Sequence, residues 1–182
     1  MRLRGVTIGG LSIALALGGA SPAFAQAGSM DAIALVGTAA QATALRGLQF
    51  GRIFPGFNKT VGYADNIAGD RIAGLVELKG VRTFPILVTF NLPDELYNGT
   101  FALPVDTWTA CHNATNTTVG CTPFTPSIAA TPMTLSAAPA SDPPPRIYGY
   151  RYVFIGATAR ASSSQRAGTY TGTIVVNVVY AF

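Results

Sequence analysis

The sequence predicts an all-β protein built as an antiparallel sandwich, and three features carry that prediction. No long stretch repeats apolar residues at helical period. Short β-branched or aromatic runs, about seven of them, are separated by Gly, Pro and Asn. The last run alternates cleanly, with Tyr170, Gly172, Ile174, Val176, Val178, Tyr180 and Phe182 on one side. Thr169, Thr171, Thr173, Val175, Asn177, Val179 and Ala181 fall on the other. A strand of this pattern has one side in a core and one side partly wet.

The chain opens with a segment that is not part of the sandwich. Arg2 and Arg4 precede an uncharged apolar stretch from Gly5 to Ala20. Ser21-Pro22 and Ala23-Phe24-Ala25 follow, a helix breaker and then small residues flanking a variable one. That is the grammar of a secretory signal peptide over 1–25, with the mature chain starting near Gln26. The apolar run falls short of the roughly 20 residues that cross a bilayer, so no membrane span is expected after its removal. The expected location is the periplasm, the cell surface or the medium.

Residues 26–37 read as an N-terminal extension or as the first strand, and 38–182 as the β-sandwich domain. Within Met30–Gly37, Ile33, Leu35 and Gly37 share one face against Ala32, Ala34 and Val36, with Asp31 at the start. Thr43–Phe50 reads as a strand ending in Leu48-Gln49-Phe50-Gly51. Arg71–Lys79 alternates, with Ile72, Gly74, Val76 and Leu78 on one side. Phe84–Leu92 alternates again, with Ile86, Val88, Phe90 and Leu92 together, and Pro93-Asp94 ends it.

From Leu103 to Pro145 prolines accumulate, and the segment reads as loop with one short strand over Met133–Ala137. Ile147–Ala159 reads as a strand, or as two broken at Gly156. Tyr148, Tyr150, Tyr152 and Phe154 alternate there and share a face, as a platform for a sugar or partner, or as a packed layer. Packing is the favoured reading.

Cys111 and Cys121 are the only cysteines. In an oxidising compartment they read as a disulfide closing a polar loop, a constraint of roughly 3 kcal/mol on the chain-entropy model. The one histidine, His112, lies beside them, so neither a metal site nor a nucleophile–His site is expected. The acidic residues sit mostly at turns, and there is no Gly-rich phosphate loop or EF-hand spacing. No enzyme activity and no cofactor are expected.

Charged residues make up 11% of the chain, against roughly 25% in ordinary soluble domains. Thr, Ser, Asn, Gln and Gly must therefore build much of the surface. Without Arg2 and Arg4 the cations nearly balance the anions, which argues against a nucleic-acid partner.

The closing segment Ala167-Gly168-Thr169-Tyr170-Thr171-Gly172-Thr173-Ile174-Val175-Val176-Asn177-Val178-Val179-Tyr180 resembles the last strand of bacterial pilin-like secreted domains. Leu48-Gln49-Phe50-Gly51 and Ile155-Gly156-Ala157-Thr158-Ala159 match as well. The likeness is to an uncharacterised family of such domains, and more distantly to spore coat protein U and chaperone–usher pilin subunits. It covers the two ends of the domain better than the middle. Chaperone–usher pilins commonly carry an aromatic next to last, whereas here Tyr180 is third from the end and Phe182 is last.

The resemblance implies an immunoglobulin-like sandwich lacking a strand beside its C-terminal one. The gap is a groove bordered by Tyr170, Ile174, Val176, Val178 and Tyr180. A periplasmic chaperone fills it first, then an extension from the next like subunit, by strand addition. Ile33, Leu35 and Gly37 would be the donor residues. The function expected is a structural subunit of a bacterial surface fibre or coat. The alternative is a non-polymerising secreted or surface binding domain, adhesin-like, in which residues 26–37 begin a closed sandwich.

Overall fold

A computed structural model describes residues 39–137 and 147–182. The expected signal peptide and the extension with Ile33, Leu35 and Gly37 lie outside the described residues. The described elements are all strands: β1 (Gln41–Arg46), β2 (Asn58–Val61), β3 (Asn66–Ile67), β4 (Arg71–Ile72), β5 (Gly74–Val81), β6 (Pro85–Asn91) and β7 (Glu95–Asn98). Then come β8 (Phe101–Asn113), β9 (Thr122–Phe124), β10 (Thr131–Thr134), β11 (Ser136–Ala137), β12 (Tyr148–Arg160) and β13 (Val175–Tyr180).

The strands form an antiparallel β-sandwich. The larger sheet runs β1-β5-β12-β8-β7, and the smaller runs β10-β6-β13. β12 organises the larger sheet because it changes partners along its length. On one edge Tyr148–Ile155 pairs with β5, and Ala157–Arg160 then pairs with β2. On the other edge β11 gives way to β8. The handover from β5 to β2 falls at Gly156, where a β-carbon would collide with the backbone of Val61 and Gly62. The break expected at Gly156 is thus a change of neighbour within one strand.

The core lies between the sheets, as the alternation requires. Val76 and Leu78 of β5 meet Ile86, Val88 and Phe90 of β6, together with Val153 and Ile155 of β12. A second cluster, with Phe50, Val61, Leu103, Val105, Ala157 and Ala159 among its members, fills one end. A third lies on the opposite face of the larger sheet, where Leu75, Cys111 and Phe154 pack with Tyr63, Tyr152 and Cys121.

The reading of Leu103–Pro145 as loop with one short strand over Met133–Ala137 is corrected: besides β10 and β11, which overlap that strand, the segment holds β9 and all but the first two residues of the 13-residue strand β8. A bulge hides β8 from a period-two count. Gly156 pairs with Thr109 but Thr158 pairs with Asp106, and Thr107 has φ 51°. Leu103 and Val105 therefore point inward before the bulge, and Trp108 and Ala110 after it. The final strand is shorter than expected, because 169–174 makes only the Tyr97–Thr171 bridge before β13 begins at Val175.

Candidate functional site: an open groove between two sheet edges

β1 is one edge of the larger sheet and β13 one edge of the smaller. Their registers place Arg46 of β1 and Val175 of β13 at the end remote from the β5–β6 turn. Among the described residues no further strand pairs with either outer edge. Between them lies a cavity of about 1140 Å³. Its floor is apolar and comes from both clusters: Val76 and Ile155 from the first, Leu103 from the second, and Trp108, which packs against both. Ala42 and Ala44 of β1 form one wall, and Ile174 and Val176 form the other.

The mouth is shaped by two loops. In the first, Gln49 exchanges backbone hydrogen bonds with Ile72, its N–H donating at 2.8 Å and its carbonyl accepting at 2.9 Å. This pairing turns Leu48 and Phe50 toward the second cluster. Gly51 follows with φ 65°, and a β-carbon there would strike the backbone of Asp70. The Leu-x-Phe-Gly pattern thus has a physical cause: two core anchors, then a turn only glycine tolerates. In the second loop, Tyr170 donates its hydroxyl to the Arg166 carbonyl at 2.8 Å and accepts from Gln165 Nε2 at 2.8 Å. Gln165 also donates to the Ala102 carbonyl at 3.0 Å.

The residues singled out in sequence divide along β13. Tyr170, Ile174 and Val176 line the cavity. Val178 and Tyr180 pack on the first cluster beyond it. Tyr180 closes that end of the sandwich, its hydroxyl accepting from the Val81 N–H at 2.8 Å and its ring meeting Phe84 edge-on at 5.8 Å. The alternate side chains of β13 are half-buried rather than fully buried, so this strand is a groove wall. Trp108 and the β1 alanines were missed in sequence. The one signal for the first was its being the only tryptophan, beside a break in alternation.

Cys111 and Cys121 form a disulfide with Cα atoms 5.7 Å apart. It lies off the groove, in the third cluster. Cys111 is fully buried on β8, while residues 114–117 and 119–120 of the loop it closes are exposed. His112 likewise stands on β8 and not in a polar loop. Its ring lies 5.8 Å from that of Phe124, and its Nδ1 is buried without a hydrogen-bond partner. Burial, and then the charge of Arg151, hold its pKa below the ordinary value.

The Tyr148, Tyr150, Tyr152 and Phe154 face turns away from the layer between the sheets. Phe154 is buried in the third cluster, while Lys79 Nζ stands 4.4 Å from the Tyr148 ring centre and 5.5 Å from that of Tyr150. Among the described residues, no group of three or more His, Cys, Asp or Glu is placed to hold a metal. Asp70 pairs with Lys59 and, at 3.4 Å, with Arg71, and the Lys59 hydrogen bond holds its carboxyl below the usual range. Asp106 is held low in the same way by Arg160 at 2.5 Å. Neither carboxylate lines the groove.

These features define a class: an antiparallel β-sandwich whose two edge strands flank an open apolar groove. The chain belongs to the family described as Domain of unknown function (DUF4402), which it matches over residues 38–180. No curated protein and no solved structure matches it.

Proposed function

We propose that the chain is a structural subunit of a bacterial surface fibre or coat, assembled by addition of a strand from a like subunit into the groove. The single observation that carries this reading is the pairing of an apolar cavity of about 1140 Å³ with sheet edges on both its sides. An extended peptide there gains backbone hydrogen bonds from an edge and buries alternate side chains on Val76, Ile155 and Trp108. An edge left open beside apolar surface is an aggregation hazard, which is the physical need a periplasmic chaperone would meet. The reading includes export of the chain and donation of residues 30–37.

The test is the oligomeric state and melting behaviour of the purified protein, with and without residues 26–37. Association that depends on those residues is the expected result. A full-length monomer that refolds reversibly by itself would end the strand-exchange reading. One observation favours a non-polymerising binding domain instead: Tyr148 and Tyr150 with Lys79 between them form an amphipathic outer face of the larger sheet. That alternative predicts a stable monomer whose ligand binding is lost on replacing both tyrosines by alanine.

A further inference from the structure

The groove is not electrically neutral along its length. Its inner part is apolar, and three arginines, Arg46, Arg52 and Arg166, line its outer part. Among the described residues no Asp or Glu lines it. Arg46 is held by hydrogen bonds to the Ala73 carbonyl at 2.9 Å and Asn66 Oδ1 at 3.1 Å, and Arg166 stacks on the Phe101 ring at 4.7 Å. Among the described residues, none of the three forms an ion pair. Cationic charge without a partner at one end of an apolar groove suits an extended occupant that is apolar over most of its length and anionic at one end.

The chain carries such a segment. Asp31, Ile33 and Leu35 stand two residues apart, so an extended strand presents all three on one face. We infer that the groove takes residues 30–37 of a second copy with the Asp31 carboxylate on the Arg46, Arg52 and Arg166 end, and that this charge match sets the direction of insertion. The inference rests on the strand-addition reading and adds to it a specificity determinant. β1 runs toward the arginine end and β13 away from it, so a strand entering with Asp31 there runs antiparallel to β1 and parallel to β13.

The experiment measures self-association of the full chain by analytical ultracentrifugation, with circular dichroism as the folding control. Asp31→Lys leaves every residue of the sandwich unchanged and is expected to weaken association roughly tenfold or more, as is the pair Arg52→Asp with Arg166→Asp. Combining Asp31→Lys with the two aspartates should restore it. Raising salt should weaken the wild type and leave Asp31→Asn nearly unaffected. Equal association of wild type and Asp31→Lys overturns the charge match while strand addition stands. Weakening by Asp31→Lys without rescue by the swap overturns the arginine assignment. A wild type that stays monomeric removes the strand-addition reading itself. If the arginine variants fail to fold, the two Asp31 variants and the salt series decide the matter on an unaltered sandwich.

Discussion

Gly51 shows how a single residue can be dictated from far along the chain. Its φ of 65° and the closeness of the Asp70 backbone both exclude a side chain. Gly51→Ala should cost about 2–4 kcal/mol, read as a lowered denaturant midpoint at unchanged slope. Tyr180→Phe should cost about 1 kcal/mol, because the Val81 N–H loses its acceptor while the ring keeps its packing. His112 should give the fold a pH dependence near neutrality. Its folded pKa lies below the ordinary 6.5, so on acidification the unfolded chain takes up the proton first. Stability from this group is complete above about pH 6.5 and is lost as pH falls through that value toward the folded one. Between pH 8 and 5 the denaturant midpoint should fall in the wild type and stay nearly flat in His112→Gln. Asp70 and Asp106 are depressed from a lower starting value, so their loss comes at more acid pH.

Strands differ in how openly their sequences declare them. β6 and β13 were legible because alternation is a local property, and Ile86, Val88 and Phe90 are indeed buried together. β8 was not legible, because Thr107 inverts the inward face halfway and Pro104 suggests a loop. The two strands that were legible should respond differently to truncation. Ile86→Ala opens a cavity in a fully buried site and should cost about 2–5 kcal/mol. Val176→Ala, on a half-exposed wall, should cost well under half as much by the same denaturant titration. The disulfide belongs at this scale too, since it ties β8 to the approach of β9. Replacing Cys111 and Cys121 together by alanine should lower stability by about 2–4 kcal/mol with the strand signal in circular dichroism retained.

Across the whole molecule, protection should follow sheet position. In the unassociated chain, amide hydrogen exchange should be slowest in β5, β12 and β6, which are paired on both edges over much of their length, and fastest in β1 and β13. Uniform protection through β1 and β13 would mean that their outer edges are covered in solution. Of the groove, sequence reveals only the wall carrying Tyr170, Ile174 and Val176, where the alternation is local. The opposite wall from 42–54 and the floor from Leu103 and Trp108 come together only through pairing between distant strands. No single window of sequence holds that information. The fold class was legible because a period of two and frequent turn residues report on every strand independently of its partners.

The position of β12 bears on how such a chain can be made. It separates β5 from β8 in the larger sheet, yet follows them both in the chain. A polypeptide that emerges N-terminus first therefore holds two sheet-forming segments with no strand to join them until residues 148–160 arrive. Vectorial synthesis cannot build this sheet outward from a finished half. Completion has to wait for the last fifth of the chain, and any nascent form that stops short presents two sticky edges at once. A chain ended at Arg146 should accordingly fail to develop a cooperative unfolding transition, whereas loss of only the exposed Phe182 should be tolerated.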